Sequence, residues 1–378
     1  MTVIQGHCAA DFAPVKAAFE ANFKDRDEVG ASVAVSVEGE MVVDLWGGTK
    51  ARDSEEAWAE DTIVNVWSTT KTMAALSLLV PADKGEVDFA SPVARYWPEF
   101  AAAGKDGATV GHVMSHQAGL SGMDAALEGD ALYDWDWMTS ALAAQEPWWE
   151  PGTGSGYHAI TQGFLQGEIV RRITGQSLGA FFKHEIAEPT GADFQIGVSE
   201  ESRARICPLI VPAQDAGAPD GDSIAARTFA NPKVDAAAAN TELWQKAEIP
   251  AANGHGNARS VVRPQTALAN GGHAFGKTIL SEAGAKRVME EQCRGTDKVL
   301  GMPTVFGLGY GINSDLMPLS PNPNTCFWGG YGGSLVLVDQ DARMCMAFVM
   351  NRMEQGLMGD QRGFSLAVAT YQALMAKG

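Results

Sequence analysis

The chain is 378 residues long, with 46% hydrophobic and 20% charged residues, which excludes a disordered chain and gives one large or two interleaved domains an ample core. A formal net charge of −18 argues against nucleic acid and anionic membrane surfaces as partners. Five scattered cysteines, Cys8, Cys207, Cys293, Cys326 and Cys345, include no Cys-x-x-Cys pair, so neither a disulfide framework nor a Cys-rich zinc site is expected, and no metal or other cofactor is called for.

The opening stretch, Met1 to Asp11, lacks a basic segment followed by an apolar one, and no apolar run reaches membrane-spanning length. A cytoplasmic protein is expected. Residues 11–25 carry Phe12, Val15, Phe19 and Phe23 at helical spacing. Residues 31–37 alternate with period two, Glu38-Gly39-Glu40 turns the chain, and residues 41–46 return it as a β-hairpin. Residues 62–66 are largely β-branched and read as extended, whereas 72–80 are helix-forming or apolar, so a helix is expected to begin near Ser68 and to kink or end at Pro81, with Asp83-Lys84-Gly85 as a stop a few residues later.

A short helix is expected over residues 109–115, ending in the turn Ser115-His116-Gln117-Ala118-Gly119-Leu120. The aromatic cluster of Tyr133, Trp135, Trp137, Trp148 and Trp149 reads as packing, or as the apolar rim of a cleft. The loop from Glu150 to Gly156 delivers Tyr157 ahead of helices over 159–173 and 178–187. Residues 207–239 read as an irregular insertion, 253–257 as a tight loop and 258–270 as a helix. A Gly-alternating strand over 306–312, a hairpin over 327–350 and a helix over 362–375 complete the chain.

This order predicts an α+β fold in which residues 1–70 and 250–378 build one α/β domain around an antiparallel sheet. Residues 71–249 would be an inserted, mostly helical domain with its irregular segment near 207–239, and the active site would lie between the two.

Ser68-Thr69-Thr70-Lys71 is the one Ser-x-x-Lys in the chain. At a helix start, Ser68 has a free backbone N–H and the positive end of the helix dipole beneath it, and Lys71 projects from the same face one turn later. A hydroxyl and an amine held together over an electropositive backbone are what Ser–Lys acyl transfer requires. Gly175-Gln176-Ser177-Leu178-Gly179 fits Gly-x-Ser-x-Gly but lies between two expected helices rather than at a strand-to-helix turn, His184-Glu185 is not followed by a second zinc-spaced His, and the Gly-rich runs near Gly309 and Gly330 lack a phosphate-loop Gly-Lys-Ser/Thr. His116 and His255 read as loop-structuring residues that could also line the cleft.

With these motifs in order, nearly the whole chain resembles the serine β-lactamase and penicillin-binding-protein superfamily, and more closely the family VIII carboxylesterases, which are similar to class C β-lactamases. Ser115 to Leu120 looks like that family's Ser-His-Thr-Ser-Gly-Leu landmark, Pro151-Gly152 with Tyr157 like the segment carrying Tyr-x-Asn, and Asn253 to Ser260 like a stretch common in these esterases. Trp328-Gly329-Gly330 stands where a β-lactamase has Lys-Thr-Gly. The resemblance implies a β-lactamase/transpeptidase-like fold and Ser68, Lys71 and Tyr157 as catalytic residues. It also implies backbone N–H groups of Ser68 and Tyr331 as an oxyanion hole, with Trp328, Gly329 and Gly330 against the substrate.

Two departures favour an esterase: Ala159 replaces the Asn of Tyr-x-Asn, and Trp328 replaces the Lys that would meet a β-lactam carboxylate. The expected substrate is a small neutral acyl ester, cleaved through an acyl-Ser68 intermediate. A β-lactamase, a D-amino-acid peptidase or amidase, an acyltransferase to an alcohol, and a non-catalytic ligand-binding relative are the alternatives. In the expected chemistry Lys71 stabilises a Tyr157 phenolate, and either group takes the Ser68 proton.

Overall fold

The computed structural model describes residues 2–213, 219 and 221–377. Its framework is a nine-stranded sheet in the order β1-β3-β2-β14-β13-β12-β11-β10-β9, with every neighbouring pair antiparallel. The strands are β1 (Ile4–Cys8), β2 (Gly30–Val37), β3 (Glu40–Gly48), β9 (Cys293–Thr296), β10 (Pro303–Phe306), β11 (Gly311–Ile312), β12 (Thr325–Gly329), β13 (Leu335–Asp339) and β14 (Met344–Met350). A smaller sheet runs β4 (Val64–Asn65), β6 (Gly254–Gly256), β5 (Gln195–Ile196), and β7 (His273–Ala274) pairs with β8 (Lys277–Thr278).

The join between the two chain ends is β2 against β14, from Val37 opposite Met344 to Ala31 opposite Met350. Both faces of this pair are covered. Ser32 and Ser36 face helix α7 (Ala258–Ala269): the Ala258 N–H donates to Ser32 Oγ at 3.0 Å, and Ser36 Oγ lies 2.7 Å from Thr266 Oγ1. Strand alternation turns Val33 and Val35 to the other side, where α1 (Ala13–Asp25) packs on the closing helix α8 (Gln361–Lys377). Between these layers and the residues that follow lies α2 (Thr70–Asp83), buried along nearly its whole length and packed on α5 (Thr161–Thr174) and α6 (Leu178–Phe182). Two further helices, α3 (Val110–Met114) and α4 (Trp135–Ala144), pack against α5. No helix among the described residues is long and apolar enough to cross a membrane.

Several elements differ from expectation, each for a local reason. Strand β1 was not expected, because Ile-Gln-Gly-His-Cys has little apolar character; as an edge strand it buries little and is held by backbone pairing to β3. Pro81 does not end α2, which continues to Asp83; it sits in the last turn, where a missing N–H costs a single backbone bond. The expected strand over 306–312 is two strands joined by a turn at Gly307–Tyr310, with Gly309 at φ +87°. That turn lies so close to α2 that a Cβ on Gly309 would collide with the Ala75 methyl. The loop expected over 253–257 contains β6, the middle strand of the small sheet. Within the stretch expected to be irregular, a helix over Ile224–Ala230 is capped by Ser223; residues 214–218 and 220 of that stretch lie outside the described residues.

Candidate active site

The placement of Ser68 begins with Asn65 at the end of β4. Its side chain donates to Ala252 O at 3.0 Å and accepts from the Trp67 N–H at 3.3 Å, which fastens the chain to the β6 side as it turns. Trp67 adopts φ +47°, a left-handed conformation that a bulky residue enters only under constraint. Ser68 therefore sits on the 3₁₀ turn Trp67–Thr69 that feeds α2, not on the first turn of the α-helix itself. Thr70 locks the corner: its hydroxyl donates to Trp67 O at 2.5 Å and accepts from the Gly254 N–H at 2.8 Å.

Lys71, one residue inside α2, is 1% exposed. Its Nζ lies 2.7 Å from Ala159 O, 2.9 Å from Ala251 O and 3.2 Å from Ser68 Oγ. Burial holds the amine's pKa well below the ordinary lysine value. Tyr157, 4% exposed, places its hydroxyl 2.5 Å from Ser68 Oγ, and Lys71 Nζ lies 4.8 Å from its ring centroid. Burial raises the phenol's pKa, and the Asp297 charge adds to that, against an opposing contribution from the Ser68 bond. The phenolate expected for Tyr157 is opposed by this burial. With the site closed to solvent both groups favour their neutral forms.

The Tyr157 backbone is held on both sides. Gly156 N–H donates to His116 O at 3.0 Å, and His158 N–H donates to His116 Nδ1 at 3.1 Å. Between them the Tyr157 N–H donates to Asp297 Oδ1, also at 3.0 Å. His158 is buried and neutral, its pKa pushed down to about 3; Nδ1 donates to Gly156 O at 2.6 Å and Nε2 accepts from the Leu120 N–H at 3.1 Å. Both histidines of this pair structure the loop. His255 does the same in β6, with Nδ1 donating to Asn253 O at 2.7 Å. Of the aromatic cluster, Trp149 packs edge-on against His158 and donates from Nε1 to Gly154 O at 2.9 Å.

Trp328 ends up in the wall of the site. The indole is 1% exposed, stacks on His116 at 5.5 Å between ring centroids, and lies 5.9 Å from the Tyr157 ring. Its Nε1 is buried without a hydrogen bond of full geometry, yet the indole is close enough to Tyr157 to oppose the rise in that phenol's pKa.

Tyr331 is not on a strand, since β12 ends at Gly329; it lies on the 330–334 turn leading into β13. That turn is stitched to the Trp67–Thr69 turn by Ser334, whose Oγ donates to Val66 O at 2.8 Å and lies 2.9 Å from Thr69 Oγ1. The rings of Trp67 and Tyr331 meet edge to face at 5.6 Å. Gly330 fits where a Cβ would collide with Val66 O and Ser334 Oγ, and Gly329 where one would meet the Met358 backbone. Buried Arg362 holds the far side, donating to Gly332 O at 2.8 Å and pairing with Glu28 at 3.0 Å.

The structure therefore gathers Ser68, Lys71 and Tyr157 within hydrogen-bond reach, and brings the Tyr331 turn alongside Ser68. Sequence reasoning missed the Ala159 and Ala251 carbonyls, Asn65 and Asp297. Backbone acceptors leave no side-chain signature, and Asp297 is 140 positions from the tyrosine it contacts. Among the described residues no His, Cys, Asp and Glu side chains converge as a set able to hold a metal.

The Beta-lactamase family profile matches residues 15–369. The chain belongs to the beta-lactamase family. Its β-lactamase/transpeptidase-like fold is shared with a crystal structure of a family VIII carboxylesterase, 42% identical, with a TM-score of 0.93 over 98% of this chain and 100% of that one. A penicillin-binding protein homolog from Caulobacter crescentus is 37% identical, with a TM-score of 0.91 over 98% of this chain and 100% of that one. Esterase/beta-lactamase LipL from Mycobacterium tuberculosis is 36% identical over 375 residues, covering 94% of this chain and 85% of that protein.

Proposed function

We propose that this member of the beta-lactamase family is a serine carboxylesterase acting on small neutral acyl esters through an acyl-Ser68 intermediate. The observation that carries the reading is the chain of atoms Tyr157 Oη, Ser68 Oγ, Lys71 Nζ, with Lys71 also against two carbonyls. A neutral amine has two hydrogens and one lone pair. The hydrogens go to Ala159 O and Ala251 O, which leaves the lone pair for the Ser68 hydroxyl. Tyr157, keeping its proton, donates to Ser68 Oγ. Lys71 is then the base. As Ser68 Oγ attacks the ester carbonyl, its proton passes to Lys71, and the carbonyl oxygen gains its charge beside the N–H groups of Ser68 and Tyr331. Collapse expels the alkoxide, which takes the proton back from Lys71. Water then repeats the sequence on the acyl-enzyme, frees the acid and restores Ser68.

Preference for an uncharged substrate rests on Trp328, whose indole supplies no cation for an anionic one, and on the acidic chain as a whole. The relatives named above, an esterase/beta-lactamase and a family VIII carboxylesterase, support ester cleavage. The test is a series of p-nitrophenyl esters of increasing acyl length with nitrocefin alongside, together with fluorophosphonate labelling read by peptide mass spectrometry. Short neutral esters should give the highest kcat/KM, with the label on Ser68 and none in Ser68→Ala. A label on another serine, or nitrocefin turnover matching the esters, would overturn the reading.

A further inference from the structure

The tip of the β9–β10 hairpin, residues 297–302, carries no motif, yet it reaches the loop that presents Tyr157. Two rungs join them: the Tyr157 N–H donates to Asp297 Oδ1 at 3.0 Å, and the Lys298 N–H donates to Ser155 O at 2.9 Å. Asp297 is fully buried. Its Oδ1 also accepts from the N–H groups of Val299 at 2.9 Å and Leu300 at 2.8 Å, while the backbone of Asp297 closes the turn with Met302 and Gly301. A tip that only needed a cap would be complete with those local bonds. The third one, spanning 140 positions to Tyr157, adds nothing to the turn.

We propose that Asp297 is a positioning residue for Tyr157, holding the tyrosine backbone from the side opposite His116 so that the phenol hydroxyl stays on Ser68 Oγ. This rests on Tyr157 acting in the reaction as described above. The second carboxylate oxygen strengthens the case. Asp297 Oδ2 is buried without any hydrogen-bond partner, a costly arrangement for a residue wanted only as an acceptor. The titratable groups that feel its charge are Tyr157, whose phenol it helps keep protonated, and the half-buried Cys293 thiol at the start of β9. Asp297 thus fixes the phenol's place and favours the proton it must carry.

The test is a double-mutant cycle on a short p-nitrophenyl ester, combining Asp297→Ala and Asp297→Asn with Tyr157→Phe, at a temperature where every variant is folded by near-ultraviolet circular dichroism. In the enzyme that keeps Tyr157, Asp297→Ala should lower kcat about 10- to 100-fold with KM little changed, the cost of about 1 Å of misplacement. Asp297→Asn keeps an acceptor at Oδ1, weaker than a carboxylate, and should recover all but roughly fivefold of kcat. In Tyr157→Phe neither change should lower kcat further, because no phenol remains to be placed. Equal losses in both backgrounds, or an Asp297→Ala enzyme with wild-type kcat, would overturn the proposal. If Asp297→Ala does not fold, the Asn variant is read in the same cycle, and a loss confined to the Tyr157 enzyme supports the proposal while equal losses sink it. A Tyr157→Phe enzyme with wild-type kcat would instead remove Tyr157 from the reaction, a separate failure that the same cycle exposes.

Discussion

A lysine that gives both amine hydrogens to backbone carbonyls has only its lone pair left for a neighbouring hydroxyl, and Lys71 is so placed between Ala159 O and Ala251 O. Its depressed pKa sets the sign of the pH dependence. The base works when unprotonated, so kcat should rise with pH through a midpoint well below the roughly 10.4 of a free lysine. Burial raises the Tyr157 pKa, so in this scheme the phenol keeps its proton, and Tyr157→Phe should lower kcat by about 10²-fold and leave that rise where it was. A pH–rate profile of the two enzymes checks this; loss of the rising limb in Tyr157→Phe would make the tyrosine the base. At this scale Ser68 and Lys71 were legible, because three-residue spacing at a helix start puts two side chains on one face whatever the fold. Their protonation states were not. Those depend on how deeply the site is buried, and on Asp297, which reaches Tyr157 from a distant hairpin.

Elements act here mainly as carriers of turns. The 330–334 turn lies against the Trp67–Thr69 turn with only a glycine's width between them at Gly330. Gly330→Ala should push the two apart by about the size of a methyl group and pull the Tyr331 N–H away from the developing oxyanion. We expect kcat to fall about 100-fold, as for loss of one oxyanion donor, with a modest fall in Tm. Kinetics and a thermal melt on the same preparation decide it; an unchanged kcat would place the oxyanion elsewhere. The hairpins at 30–48 and 335–350 and helix α7 were readable from period and turn residues. Strand β1, the break at Gly307–Tyr310 and β6 were not. Their residues are short or Gly-rich, and what makes them strands is the partner strand rather than their own pattern.

Over the whole molecule, what could not be read was the strand order, because β2 finds β14 only once the intervening chain has folded out of the way. At the same closure the buried Glu28 carboxyl, after α1, lies 3.0 Å from the Arg362 guanidinium, at the start of α8. Burial raises the Glu28 carboxyl to about 7 despite the guanidinium. A carboxyl raised in the folded state stabilises fully below its unfolded value, near 4.5, and that contribution is lost as pH rises through about 7. Tm should therefore decline across that interval, and Glu28→Gln should flatten the decline. Melts at several pH values test it, and identical slopes in the two proteins would count against the assignment.

The pairing of Ala31 with Met350 has a kinetic side as well. One part of the central sheet, the hairpin of β2 and β3, offers Val33 and Val35 with one edge open until a strand some three hundred positions later arrives to cover it. Closing so large a loop carries little extra entropy cost, but it is slow, and topologies dominated by such distant pairings fold late. During that interval the exposed edge can recruit the same hairpin from another molecule. The feature that joins the two ends of the chain in the finished enzyme therefore makes its assembly concentration-sensitive, and a truncation that removes β14 leaves a sticky, permanently unfinished sheet.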